Sequence, residues 1–168
     1  AAARLVDAGD GLVRLLTLAP ECDPQAATTR WLVDAGITVS AGHTDCSLDQ
    51  LAAAIDAGLS MVTHLGNGCP TVLPRHDSII QRLLSRASDL WVCFIPDGVH
   101  VPWFALRNYL AIVGLERTIF VTDAIAAAGL GPGRYTLAGA AVEVDAAGVA
   151  RRPGSDNLAG STITMPRL

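Results

Sequence analysis

The chain has 168 residues, 51% of them hydrophobic and 17% charged, and a formal net charge of −4. That balance carries no basic footprint for nucleic acid, and Asp, Arg or His breaks every apolar run before it reaches membrane-spanning length. An apolar content this high suits one domain over residues 1–168, its strands buried on both faces as in a parallel sheet covered by helices.

Residues 1–9 read as the end of a helix, and 12–18 as a strand leading into Ala19, Pro20 and Glu21. Asp23 before Pro24 is an N-cap and N1 pair, which predicts a helix running to Gly36. Residues 37–42 are a short β-branched run ending in Gly, the pattern of a buried strand, and His43 stands at its carboxyl end. Ser47 and Gln50 make a capping box. Leu48, Leu51, Ala52 and Ile55 then share one helix face, and Gly58 ends the helix as its C′ residue. Residues 59–65 are a second apolar strand, with His64 near its end. This is a parallel, right-handed βαβ unit with an imidazole at the same end of two neighbouring strands. In α/β folds, chemistry gathers at that end.

Residues 67–75 form a loop rich in Gly and Pro, and a helix from about Asp77 carries Ile79, Ile80, Leu83 and Leu84 inward. A strand over 90–95 leads to Asp97 and His100. Pro102 starts a helix with Trp103, Leu106, Leu110 and Val113 on one face, and a strand over 118–122 closes on Asp123. Strands therefore begin near 12, 37, 59, 90 and 118, each followed by a helix-length segment, which suits part of a (β/α)8 barrel or a doubly wound sheet. Beyond them come a Gly-rich loop at 126–134, a β-hairpin insertion over 135–152, and a last helix starting at Leu158. The chain opens on Ala1 without Met and closes inside that helix, so it reads as an internal piece of a longer protein.

Cys22, Cys46, Cys69 and Cys93 stand 24, 23 and 24 residues apart, with no close pair. A structural zinc site needs such pairs, so these read as reduced, mostly buried thiols of a cytoplasmic protein. The polar residues at strand ends are the chemical candidates. Two histidines at matched ends of adjacent strands, with Asp123 at a third, point to a metal site, because neutral imidazole is a common nitrogen ligand. Two ligands fall short of the usual three of a catalytic site. Glu21 reads as structural, and Asp97 as the residue that fixes its Gly-containing turn. The GLGPG stretch at 129–133 lacks the Lys-Ser/Thr pair of a phosphate-binding loop.

Five motifs occur in order: VSAGHT at 39–44, THLGNGCP at 63–70, DGVHV at 97–101, VTDA at 121–124 and LAGSTITM at 158–165. In these the chain resembles, along essentially its whole length, the N-acetylglucosamine-6-phosphate deacetylases of the metal-dependent amidohydrolase superfamily. The resemblance implies a partial (β/α)8 barrel, about strands four to eight, without the N-terminal barrel strands and the small β-sandwich domain. It implies hydrolysis of N-acetylglucosamine 6-phosphate to glucosamine 6-phosphate and acetate, with a divalent metal, Zn or alternatively Fe, held by His43 and His64. It makes Asp123 the general base and acid and sets His100 against the sugar and acyl oxygen. Asn67, Gly68 and Arg75 then hold the phosphate, and Leu158 joins the substrate-binding residues. The arginine in this role comes from the neighbouring subunit, which implies a homodimer; neither a nucleic acid nor a membrane is expected as partner.

The resemblance departs in two places. The family's remaining metal residues, a His-x-His and a Glu, lie upstream of Ala1. The usual aromatic-Asn-Ala-Met after the second histidine is here Gly66, Asn67, Gly68 and Cys69, so an amidohydrolase of altered substrate and a non-catalytic barrel fragment stand as alternatives.

Overall fold

A computed structural model describes residues 2–167; the expectations that touch Ala1 and Leu168 lie outside them. In chain order the elements are α1 (Ala2–Ala8), β1 (Leu15–Leu18), α2 (Ala27–Asp34), β2 (Thr38–Ala41), α3 (Leu48–Asp56), β3 (Met61–Val62) and α4 (Ile79–Ser85). There follow β4 (Trp91–Phe94), α5 (Trp103–Val113), β5 (Thr118–Phe120), β6 (Gly133–Leu137), β7 (Ala140–Val144) and β8 (Ala150–Arg151). The chain is thus mixed α/β and divides into two compact units, one of residues up to Cys93 with Leu110–Ile119, the other of Phe94–Tyr109 with residues from Phe120 onward.

The first unit is built on a sheet of order β1-β2-β3-β4-β5. β1 pairs β2 in parallel with Leu15 opposite Thr38, and β2 pairs β3 in parallel with Ser40 opposite Met61. β3 pairs β4 in parallel with Met61 opposite Trp91. Val39, Ala41, Val62 and Val92 on the strands are buried together with Leu32 of α2, Leu51 of α3 and Leu83 of α4. Parallel strands sandwiched by helices have this two-sided burial, and truncating such a Leu to Ala removes about 2–5 kcal/mol.

Local sequence explains where α3 begins and ends. Ser47 Oγ accepts the Gln50 N–H at 3.2 Å while Gln50 Oε1 accepts the Ser47 N–H at 2.8 Å, the reciprocal capping box. At the other end the Leu59 N–H reaches Ala54 O and the Gly58 N–H reaches Ile55 O, a Schellman pair around Gly58 at φ 104°. Gly is required there twice over, since a Cβ would also sit 2.9 Å from both methyl groups of Val33.

In this unit two expected elements come out differently. The Asp23-Pro24 pair opens only a 3-10 turn over Pro24–Ala26, where Gln25 and Ala26 turn left-handed (φ 57° and 51°), and α2 starts at Ala27. The Asp23 carboxylate instead reaches forward to the N–H groups of Thr28 and Thr29 and to the Thr29 hydroxyl, each at 2.8 Å. The strand expected over 59–65 keeps only two ladder residues, Met61 and Val62, because the backbone turns at His64 to φ 29°.

The second unit holds an antiparallel sheet of order β6-β7-β8. β6 and β7 form the expected hairpin, with Gly133 opposite Val144 and Leu137 opposite Ala140. Its two-residue turn, Ala138 and Gly139, has positive φ at both positions (48° and 82°), as hairpins of this loop length require. Val142, Val144, Ala150 and Ala127 form its core, with Ile125, Tyr135 and Ala159 packed against them. Phe94 and Tyr109 stack with centroids 6.2 Å apart. The helix expected from Leu158 is absent: Leu158 bridges to Arg151, the Ala159 N–H donates to Ala150 O, and Gly160 takes φ 75°. The backbone groups that a helix would satisfy internally are met by neighbouring extended chain instead.

Candidate active site

The site residues expected from sequence fall into two groups, one in each unit. In the first, β2 ends where Gly42 passes between the side chains of Thr17 and Thr63, a gap that a Cβ would close. His43 follows at φ 51°, and His64 occupies the equivalent place after β3. An L-residue in this region carries strain of about 1–3 kcal/mol, which persists only where the surrounding fold enforces it. The two turns bring the imidazoles together: Nε2 of His43 lies 3.1 Å from Nε2 of His64, with the rings nearly perpendicular at 84°. His64 is buried and His43 exposed.

The segments that carry this pair are stapled from both sides. Glu21 accepts the Asp45 N–H at 2.8 Å and the Thr44 hydroxyl, and so ties the chain just after His43 to the end of β1. Arg82 of α4 binds Asp77 Oδ1 through Nε at 2.7 Å and the Asp77 carbonyl through Nη2 at 2.8 Å. Its Nη1 donates to the Cys46 carbonyl at 2.9 Å and to Asp45 Oδ1 at 3.3 Å. Nothing local in the sequence marks Arg82, whose partner Asp45 lies 37 positions away. Glu21 has the structural role expected of it.

Asn67 donates its N–H to His64 O at 2.9 Å, which brings the next residues back over the histidines. Gly68, at φ 65°, lies against the His43 ring, so that a Cβ there would stand 2.7 Å from Nδ1. Asn67 Nδ2 is buried without a hydrogen-bond partner among the described residues. A narrow cleft of about 10 Å³, room for roughly one water molecule, runs between Gly42, His43, Thr44, Asn67, Cys69 and Ile80. Arg75 is exposed further along this loop and makes no ion pair among the described residues. All four cysteines are free; Cys46 and Cys93 are buried and Cys22 exposed. Burial pushes the Cys46, Cys69 and Cys93 thiols up from their ordinary value.

In the second unit Asp123 also has a left-handed backbone, φ 49°, and is exposed. Ser161 frames it: the Ser161 N–H donates to Asp123 O at 2.8 Å, the Ser161 carbonyl accepts the Ile125 N–H at 3.0 Å, and the Ser161 hydroxyl donates to Thr122 O. Gly160 lies so close beneath that a Cβ would stand 2.9 Å from the Asp123 carbonyl. The final motif therefore holds Asp123 in place, with Leu158 half-buried at its start.

Asp97 does more than shape its turn. Oδ1 accepts the N–H groups of Val99 and His100 at 2.9 and 2.8 Å, while Oδ2 meets His100 Nδ1 at 2.6 Å. Burial alone would raise the Asp97 carboxyl, but the bonds from the His100 ring and from these two N–H groups outweigh it and hold the acid below the usual carboxylate range. The His100 side chain is 5% exposed. It borders a small cavity with Gly148, Val149 and Ala150 and with Gly160, Ser161 and Thr162.

Among the described residues no group of three or more His, Cys, Asp or Glu side chains is placed to hold a metal ion. The His43–His64 pair nonetheless has the spacing of two ligands of one ion. Two nitrogens each about 2.1 Å from a metal, at angles from octahedral to tetrahedral, lie about 3.0–3.4 Å apart.

No protein-family model matches the sequence. The N-acetylgalactosamine-6-phosphate deacetylase of Escherichia coli O157:H7 is 32% identical over 162 residues, covering 96% of this chain and 42% of that protein. The N-acetylglucosamine-6-phosphate deacetylase of Danio rerio is 36% identical over 160 residues, 91% of this chain and 38% of its own length. Among solved structures, the N-acetyl-D-glucosamine-6-phosphate deacetylase of Mycobacterium smegmatis, a mutant in complex with N-acetyl-D-glucosamine-6-phosphate, superimposes with a TM-score of 0.89 at 41% identity. That match covers 99% of this chain and 43% of the other. The enzyme of Thermotoga maritima matches with a TM-score of 0.80 at 31% identity over 90% of this chain and 40% of its own. The chain thus spans about two fifths of the length of the curated relatives it matches. Over nine-tenths or more of its own length it is similar, in sequence and in fold, to deacetylases of N-acetylated amino sugar 6-phosphates.

Proposed function

We propose that this chain is the C-terminal part, about strands four to eight, of the (β/α)8 barrel of a deacetylase that hydrolyses N-acetylglucosamine 6-phosphate to glucosamine 6-phosphate and acetate. The observation that carries the reading is the convergence of His43 and His64 at 3.1 Å, each from a left-handed turn at a strand end. Their donor chemistry suits a divalent ion, Zn or alternatively Fe, as two of the three or four ligands needed, the remainder coming from outside this chain. Such an ion supplies Lewis acidity to the amide carbonyl and acidifies water at neutral pH.

The chain's own residues do the rest. Asp123, exposed at the end of its strand, accepts the proton of the attacking water and hands it to the departing amine. His100 offers its free ring nitrogen to the sugar. Asn67 has an unspent buried amide donor, and Gly68 brings backbone close to His43 without a side chain; both suit an anionic ligand. The Arg75 guanidinium matches phosphate oxygens in shape and charge, reaching the substrate of a neighbouring subunit in a homodimer. Leu158 lies on the segment that frames Asp123 and closes over the sugar. A cytoplasmic location suits four free thiols.

The full-length protein should release acetate from N-acetylglucosamine 6-phosphate, lose that activity on chelation and regain it with zinc. Persistent activity at exhaustive chelation refutes the assignment of His43 and His64. A second reading keeps the reaction but changes the sugar. Gly66 leaves open space where the family pattern that the sequence resembles has an aromatic residue, a Cβ there finding nothing nearer than Ile80 Cδ1 at 3.9 Å. Higher kcat/KM on N-acetylgalactosamine 6-phosphate than on the gluco isomer would decide for it.

A further inference from the structure

Asp97 is the residue whose contacts exceed what its turn requires. A β-turn of this kind needs one side-chain oxygen to accept the backbone N–H groups ahead of it, and Oδ1 does that for Val99 and His100. Oδ2 is spent on the imidazole, 2.6 Å from Nδ1, with both side chains largely buried at 5% and 13% exposure. An ionised carboxylate only accepts hydrogen bonds. Nδ1 of His100 must therefore carry its proton and donate it, and the ring is locked in both tautomer and orientation. Nε2 is then the one ring atom left for a ligand. The second-nitrogen partner of a working histidine decides which nitrogen faces the substrate.

We propose that Asp97 is a positioning residue for the deacetylation, holding His100 through Nδ1 so that Nε2 is the atom offered to the bound sugar phosphate. This rests on the function proposed above. It differs from the reading of Asp97 as a turn residue, because it makes one oxygen structural and the other functional. Asp97→Asn separates the two. The amide oxygen still accepts the Val99 and His100 N–H groups, so the turn survives, but the NH2 group now faces Nδ1 and forces it to accept. The proton moves to Nε2, and the ring presents the opposite character to the substrate.

In the full-length, metal-loaded protein, Asp97→Asn should lower kcat/KM on N-acetylglucosamine 6-phosphate about tenfold or more while leaving zinc content and melting temperature near wild type. Nitrogen NMR of the His100 ring should show the protonated site move from Nδ1 to Nε2. In the double-mutant cycle, Asp97→Asn in a His100→Ala background should add less than about twofold, because its effect passes through the ring. If the wild type releases acetate and the two losses simply multiply, Asp97 acts on something other than His100 and the positioning role is overturned while the function stands. An unmoved ring proton in Asp97→Asn overturns it as well. A wild type that releases no acetate overturns the underlying function, and the role with it.

Discussion

The left-handed backbone at His43 and Asp123 offers a test in which stability and function move in opposite directions. Both residues sit at positive φ, 51° and 49°, where a Cβ presses on the following carbonyl. Both are exposed, so removing either side chain opens no cavity. Replacing each by Gly and, separately, by Ala removes the same functional group but relieves the backbone only in the Gly variant. The left-handed conformation disfavours an L-residue by about 1–2 kcal/mol, and the greater freedom of Gly in the unfolded chain returns about 0.5–1 kcal/mol. The Gly variant should therefore be about 0.5–1 kcal/mol more stable than the Ala variant at each position. With an m-value of about 3 kcal/mol/M, that is a urea midpoint higher by roughly 0.2–0.3 M in the metal-free, full-length protein. All four variants should be inactive. Ala53→Gly, at an exposed interior position of α3, provides the control of opposite sign, a loss of about 1 kcal/mol. If Ala equals or exceeds Gly in stability at both 43 and 123, the fold does not hold these residues under strain and the reasoning fails.

Asp123→Asn keeps the shape of the base but cannot take the water proton, so kcat should fall by about 10² or more with zinc content unchanged; near-normal turnover would exclude Asp123 as the base. Arg75→Ala should weaken the phosphorylated substrate by about 1.5–3 kcal/mol, a charge-assisted contact. It should leave an unphosphorylated N-acetylated sugar and the melting temperature almost unmoved, whereas equal losses on both sugars would show that Arg75 does not read phosphate. Asp23→Ala leaves the Thr28 and Thr29 N–H groups of the first turn of α2 without their carboxylate and should cost about 2–4 kcal/mol in denaturant unfolding. Burial by itself raises the Asp23 carboxyl, but those bonds outweigh it and hold it below its ordinary value near 3.8. Its contribution is thus complete above that value and lost as pH falls through the lower, folded one. The gap in stability between wild type and Asp23→Ala should therefore narrow in acid, and a gap that does not narrow there refutes the linkage.

Local sequence signals served well wherever the deciding contacts lie within a few residues. The capping box at Ser47 and Gln50, the Schellman end at Gly58 and the alternation of strand and helix all depend on neighbours along the chain, and they stand where the sequence puts them. The same signals misled at Asp23 and at Leu158. In each, the backbone groups found partners that local propensity does not see: the carboxylate reached over a left-handed Gln25-Ala26 pair, and Ser161 paired with both Asp123 and Ile125. The sequence pattern carries β3 through His64, but the turn that makes His64 useful ends the ladder at Val62.

The order of the five motifs was enough to name the candidate residues and the chemistry they suit, because ligand and base are properties of side-chain type. What only the folded chain decided is geometry: Nε2 atoms 3.1 Å apart from residues 21 positions apart, the Arg82 clamp on Asp45 and Asp77, and the division of labour between the two oxygens of Asp97. The first of these also depends on left-handed backbone angles that His43 and His64 themselves disfavour. No local propensity encodes such angles; the packing of the surrounding elements imposes them.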